Sequence, residues 1–290
     1  MTSEKIVITG ATGLLGDHLI KYLSSKYEVF AVVRSEPKKR IEGVSYIVID
    51  FETDWSTEAL PNDVKAVIHL AQSNKFRDFP ESSLSVFRVN IESTAKLIEY
   101  ARKHSAESFI YFSSGGVYGN GPGEFYENSP IIDTSQLDYY LGSKVCSEVL
   151  LQSYASFLNL IIVRPFFMYG SGQKSQMLIP RLINRVKNGE AITLDGEEGI
   201  SINPVHVKDA VSLVSECIQN PPQSSIMNLA GPDILSLKEI ANIIGDKVSK
   251  QPVFEYKDSK PSDLVGNNSL MVEMLKEELV PFRDGVDDLI

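Results

Sequence analysis

Six short runs of β-branched and aromatic residues alternate with amphipathic stretches of helical length, which restricts the chain to stacked strand-helix-strand units around a parallel sheet. The runs are KIVIT (5–9), EVFAVV (28–33), SYIVID (45–50), AVIHLA (66–71), SFIYFS (108–113) and LIIVRP (160–165). Several are apolar throughout, as strands covered on both faces are. Helices are predicted near 14–25, 82–103 and 139–157. The expected fold class is α/β, a doubly wound parallel sheet.

After Pro165 the alternation stops: the loop YGSGQ leads to a helix near 176–188, a short strand and the segment INPVHVKDAV. Residues 1–165 are therefore expected to form the sheet domain, with 202–222 returning to it. Residues 166–201 and 223–290 form a smaller C-terminal α/β lobe that binds the substrate. A chain of 290 residues, 43% hydrophobic, buries a substantial core.

Its net charge of −10 argues against a nucleic-acid surface. No run approaches the ~20 apolar residues of a membrane span, and the start MTSEKIVITG has no signal-peptide core, so a cytoplasmic location is expected. Cys146 and Cys217 lack metal-like spacing and are read as reduced packing thiols; no metal site is expected.

TGATGLLG sets Gly10, Gly13 and Gly16 between the first strand and the first helix, with Thr12, Leu14 and Leu15 beside them. Such a turn brings backbone amides to a pyrophosphate, and the helix N-terminus adds partial positive charge. A dinucleotide is the ligand that fits. An acidic residue ending the second strand would hold the adenosine ribose, whereas an arginine there suits a 2′-phosphate. The strand ends VVRSEPKK, so Arg34 favours NADP, with NAD the alternative; a solvated basic loop is the bland reading. Asp50, at the end of the third strand, meets the adenine amino group or caps a turn.

Tyr140 and Lys144 lie four residues apart, on one side of the helix beginning near 139. Y-x-x-x-K also occurs at Tyr22/Lys26 and Tyr256/Lys260. Only the Tyr140 pair follows the fifth strand, whose end opens on the ligand crevice of a doubly wound sheet. That strand ends in Ser113 and Ser114. A phenol titrates near about 10, so an adjacent ammonium must favour its phenolate before it exchanges protons at neutral pH. Ser114 then holds a carbonyl or alcohol oxygen, Tyr140 gives or takes the proton, and Lys144 also binds the nicotinamide ribose. His69 and His206 are read as hydrogen-bonded core histidines.

Taken in order, the glycine turn, HLA, SSGGVYG, YYLGSK, RPFFMYGSG and NPVHVKDA resemble the extended short-chain dehydrogenases/reductases, the NAD(P)-dependent nucleotide-sugar epimerase/dehydratase family, over about residues 1–265. The resemblance implies a Rossmann-type sheet, a nucleotide-sugar substrate and a homodimer through the helices near 82–103 and 139–157. It selects Ser114, four residues before Tyr118, as the catalytic hydroxyl and Asn90 as a structural helix asparagine. It adds Phe51, Leu70, Ala71 and Pro165 to the cofactor contacts, and Gly115, Phe167 and Arg181, beside Ser114 and Tyr140, to the substrate contacts.

The chain departs from the family where the sugar diphosphate is gripped. Phe167 stands in place of an asparagine, Ile202 in place of an arginine, and no arginine lies around KPSDLVGNN. A charge-assisted hydrogen bond is worth about 1.5–3 kcal/mol, so two such losses weaken a nucleotide sugar by orders of magnitude unless Lys174, Arg181, Arg185 or Lys260 compensates. The leading expectation is a nucleotide-sugar 4-ketoreductase. Alternatives are a 4-epimerase, a carbonyl reductase for another small molecule, and a non-catalytic NADP(H)-binding regulatory module. Gly115 and Gly116 stand where the resembling dehydratases carry an acid pair, which disfavours water elimination.

Overall fold

In the computed structural model, which describes residues 4–290, the chain divides into two compact units. The first comprises residues 4–117, 132–164 and 211–227. Its seven-stranded sheet uses β1 (Lys5–Thr9), β2 (Glu28–Val33), β3 (Val44–Val48), β4 (Val64–His69), β5 (Ser108–Phe112), β6 (Asn159–Pro165) and β7 (Ser225–Leu229). The order is β7-β6-β5-β4-β1-β2-β3, and every pair from β3 across to β6 is parallel. The strand order reverses between β1 and β4, so the loops leaving those two strands flank a crevice at their carboxyl ends.

The central strands carry the apolar runs: β5 is buried along its whole length and β1 beyond its first residue, whereas edge strand β3 stays partly exposed. Helices α1 (Leu14–Leu23), α2 (Ser83–Phe87), α3 (Ser93–Lys103) and α4 (Tyr139–Gln152) serve this sheet. Leu97, Ile98, Tyr100 and Leu151 pack from α3 and α4 onto Val67, Phe109 and Leu160.

Three details differ from expectation. The stretch 82–103 is interrupted by a π-turn at Arg88–Glu92, which brings Asn90 inside at 1% exposure. The strand SIMNL at 225–229, assigned from sequence to the lobe, is the seventh strand of the sheet. Its lone asparagine and methionine broke the β-branched signature that marked the other six. The unit boundaries also shift, because residues 118–131 and 202–210 belong to the second unit.

The second unit has its own core, in which Ile179, Leu182, Ile183 and Val186 of α5 (Leu178–Asn188) meet Ile240, Ala241 and Ile244 of α7 (Leu237–Val248). Between them in sequence lies α6 (Val207–Gln219). Helix α7 begins with a capping box, in which the Ser236 hydroxyl accepts from Glu239 N at 3.1 Å and the Glu239 carboxylate accepts from Ser236 N at 2.8 Å. Strand Ala191–Asp195 pairs in parallel with Val253–Lys257. Asp209, its carboxyl pushed up to about 6 by burial, accepts from Val280 N and fastens the 280s to this unit.

Candidate active site

Geometry at the β1–α1 turn is that of an amide cradle. Gly10 has φ +67°, and a Cβ there would lie 2.8 Å from Ala71 N, so the loops after β1 and β4 meet at the strand-order reversal. A Cβ at Gly16 would fall 2.3 Å from Gly10 O, which leaves no side chain compatible with this approach. Gly13, the N-cap of α1, contributes no side-chain cap to the first turn, and its own amide donates to Gly10 O at 2.9 Å. Thr12 and Gly13 are exposed and Leu14 half-buried, whereas Leu15 is core. This turn fits a dinucleotide pyrophosphate.

The neighbouring strand ends are ordered by buried hydrogen bonds. Thr9 Oγ1 meets His69 Nδ1 at 2.7 Å and accepts from Ala71 N at 3.2 Å, while His69 Nε2 meets Thr94 Oγ1 at 3.0 Å. Burial, with the charge of Lys144 assisting, pulls the His69 imidazole down to about 3, so it stays neutral and structural. Leu70 and Ala71, expected inside the fourth strand, lie just beyond it and are half-buried. Arg34 is exposed at the end of β2. Asp50 caps a turn by accepting from Glu52 N at 3.0 Å. Phe51 sends its ring into the core, with centroids 4.7 Å from Trp55, so its side chain is unavailable to a cofactor.

Helix α4 begins where Asp138 accepts from Leu141 N at 2.7 Å. This cap aims Tyr140 and Lys144 at the end of β5. Lys144 is 2% exposed and its Nζ donates to Phe112 O at 2.8 Å, lying 5.1 Å from the ring centre of Tyr111 and 5.8 Å from that of Tyr140. Burial pulls its ammonium down to about 7, against the opposing charge of Glu148. Ser114 Oγ accepts from Gly116 N at 3.1 Å, and its hydroxyl lies near enough to the Tyr140 phenol to favour its ionisation. The structure brings Ser114, Tyr140 and Lys144 together at the end of β5. Ser113, its neighbour, is buried at 3% exposure.

On its own the chain does not favour the phenolate, a role expected of the ammonium together with an oxidised nicotinamide. Burial first and Asp138 second push the Tyr140 phenol up to about 12, opposed by the Ser114 hydroxyl, so the chain's own groups keep it neutral. Lys144 illustrates a related tension, because its folded value lies below the ordinary lysine value. A Lys144→Met variant is therefore expected to melt several degrees higher below about pH 7. The difference should shrink from there towards the unfolded lysine value, as the wild-type lysine no longer has to carry a buried charge. Thermal melts across that range check it, and a lower melting point below pH 7 is the contrary result.

Gln72 and Phe76 gave no sequence signal, whereas Asn90 is expected from the family resemblance. Gln72 Oε1 accepts from the Tyr140 hydroxyl at 3.0 Å, and the Phe76 ring packs on the Tyr140 ring with centroids 4.8 Å apart. Asn90 Oδ1 accepts from Ser73 N at 2.9 Å while its Nδ2 donates to Ser143 Oγ at 2.8 Å, tying the post-β4 loop to α4. Glu148 and Arg164 form a buried two-bonded pair, which the i+4 spacing from Lys144 and the strand-end arginine would have suggested.

In the second unit, Phe167 adopts φ +46°, the left-handed region that asparagine tolerates better. The backbone thus keeps an asparagine-type conformation although the residue has changed. Pro165 ends β6, Gly115 is buried in a short 3-10 turn, and Arg181 is exposed on α5. Arg185 is engaged through Nη1 with Ala191 O. Ile202, where the resembling enzymes have an arginine, is fully buried in a short strand. Among the described residues no three metal-ligating side chains cluster, and no helix is long and apolar enough to cross a membrane.

Comparison with known proteins agrees with this geometry. The chain is 24% identical over 308 residues to an uncharacterised UDP-glucose epimerase, YtcB, of Bacillus subtilis, covering 99% of this chain and 96% of that protein. It is 27% identical over 243 residues to the dTDP-4-dehydro-6-deoxyglucose reductase of Escherichia coli, covering 79% and 75% of the two chains. Its fold matches that of UDP-glucuronic acid 4-epimerase from Bacillus cereus, solved with UDP-glucuronic acid and NAD, at a TM-score of 0.84 and 22% identity over 98% and 97% of the chains. The family model of the NAD dependent epimerase/dehydratase family matches residues 6–230, and the chain belongs to that family of enzymes.

Proposed function

We propose that the protein is an NADP(H)-dependent 4-ketoreductase of nucleotide sugars. The observation that carries this reading is the convergence of Ser114, Tyr140 and Lys144 at the end of β5, in a unit whose glycine turn fits a dinucleotide. Arg34, in place of an acidic residue at the end of β2, selects the 2′-phosphate and hence the exchangeable reductant. The bound nicotinamide supplies the hydride to the carbonyl carbon.

Ser114 holds the keto oxygen by donating a hydrogen bond, and Tyr140 delivers its phenolic proton to that oxygen as the hydroxyl forms. Lys144 holds the nicotinamide ribose and supplies positive charge beside the resulting phenolate. Gly10, Thr12, Gly13 and Leu14 contact the pyrophosphate, with Leu70 and Ala71 beside the nicotinamide half. By the family resemblance, Phe167 and Arg181 are further substrate contacts.

A specific observation favours a second reading, a 4-epimerase that oxidises and re-reduces one carbon with retained cofactor: several proteins of matching fold are 4-epimerases by name. Addition of a nucleotide-linked 4-keto sugar is expected to consume NADPH in step with product. Conversion of a nucleotide-linked 4-hydroxy sugar into its C4 epimer without net cofactor change would establish the epimerase instead.

A cytoplasmic homodimer accompanies this proposal. Leu84 and Phe87 of α2 and Val149 and Leu150 of α4 are exposed apolar residues of the kind an interface covers, and the sedimentation mass of the native chain tests it.

A further inference from the structure

We infer that Gln72 is a positioning residue for the acid-base tyrosine, its side-chain amide serving as the partner of the Tyr140 hydroxyl in both protonation states. The inference rests on the proposed role of Tyr140. Gln72 lies three residues past β4, and its Oε1 accepts from the phenol at 3.0 Å. The phenolic proton therefore points at Gln72, while the Ser114 hydroxyl acts on the same phenol from the β5 side.

An amide is the one uncharged side-chain group that carries a strong acceptor and two donors on one planar head. Half a turn of the head replaces the carbonyl oxygen by Nε2–H, so the same side chain that accepts from the phenol donates to the phenolate. A carboxylate accepts only, and an ammonium donates only. Gln72 thus lets the proton leave and return without stranding a partner.

The surroundings isolate this contact. Phe76, four residues further along the same loop, packs on the Tyr140 ring, and the Arg77 guanidinium lies over Phe76, 5.1 Å from its ring centre. Tyr139 stacks on Phe79 with centroids 4.9 Å apart, so two aromatic pairs hold this loop against the start of α4. Of the charged or titratable groups around Tyr140, Asp138 raises the phenol, Lys144 Nζ lies 5.8 Å from its ring centre, Tyr111 on β5 couples to it, and Arg77 lies over Phe76. Lys75, also on this loop, is paired with Glu52 at 2.6 Å.

The test places opposite charges at position 72. Because Gln72 is exposed, either charge can be carried in contact with water, and neither variant has to bury an ion. The full-length protein saturated with NADP⁺, carrying tyrosine labelled with ¹³C at Cζ, is titrated by NMR, with the Tyr140 signal assigned by its loss in Tyr140→Phe. Gln72→Glu is expected to raise the Tyr140 midpoint by about one pH unit and Gln72→Lys to lower it by about as much. An unmoved midpoint, or a shift of the same sign in both variants, overturns the inference. The titration needs no substrate, so its outcome is separate from that of the enzyme reading: loss of the shift removes Gln72 alone, whereas undiminished turnover in Tyr140→Phe removes the acid-base role.

Discussion

Replacing Tyr140 with phenylalanine is expected to lower kcat by about 10²- to 10⁴-fold, the span attributed to a positioned general acid, while dinucleotide affinity changes little. The variant keeps the ring that Phe76 packs against and removes only the hydroxyl that donates to Gln72 and lies beside Ser114. Binding through the glycine turn does not involve that hydroxyl. Lys144 keeps its bond to Phe112 O, so the cation stays in place. Steady-state turnover of a nucleotide-linked 4-keto sugar, measured beside NADPH binding by fluorescence, checks the prediction. A kcat within twofold of wild type would falsify the acid-base assignment.

The second large effect concerns stability. Arg164 donates to Glu148 through Nε at 3.1 Å and Nη2 at 2.6 Å, and the two side chains are only 3% and 5% exposed. Arg164→Met leaves the Glu148 carboxylate buried without that counter-charge, and is expected to destabilise the protein by about 3–5 kcal/mol. Replacing both partners with apolar residues, as Arg164→Met with Glu148→Leu, should recover most of the loss, since the pair itself contributes little beyond an apolar substitute. Urea denaturation of the single and double variants measures both. A single-variant loss no larger than the ~0.5 kcal/mol of an ordinary surface change would show that the carboxylate finds relief elsewhere. Glu148 also counters the burial of Lys144, four residues earlier on α4, so the pair links the stability of the helix to the charge of the amine.

Sequence reading located the elements whose signal is local. Runs such as KIVIT and SFIYFS are apolar because neighbours cover both faces of their strands, and the glycine turn is legible because only glycine fits the contacts of Gly10 and Gly16. Tyr140 and Lys144 are expected from their spacing and from the strand they follow, and the family resemblance selects Ser114 over Ser113.

What escaped depends on contacts between distant segments. Gln72 is a polar loop residue until α4 is laid beside it, 68 positions later in the chain. The raised phenol follows from burial, which no motif expresses. The seventh strand was hidden because SIMNL carries an asparagine and a methionine where the other strands carry branched residues. The turn at Arg88–Glu92 left no trace either, since its residues continue the surrounding helical periodicity.

That turn has a consequence for how the sequence can vary. A π-turn holds one residue more than the α-helix around it, so the stretches before and after are rotated relative to each other by about 100° compared with an unbroken helix. Losing a single amino acid between 88 and 92 would not shorten a loop. It would turn α2 by little more than a quarter turn about its axis against α3, move its buried side off its packing surface, and draw Asn90 away from both Ser73 and Ser143. Length is therefore constrained here more tightly than residue type, and gains or losses of chain should be tolerated in the surface connections long before they are tolerated inside this helix.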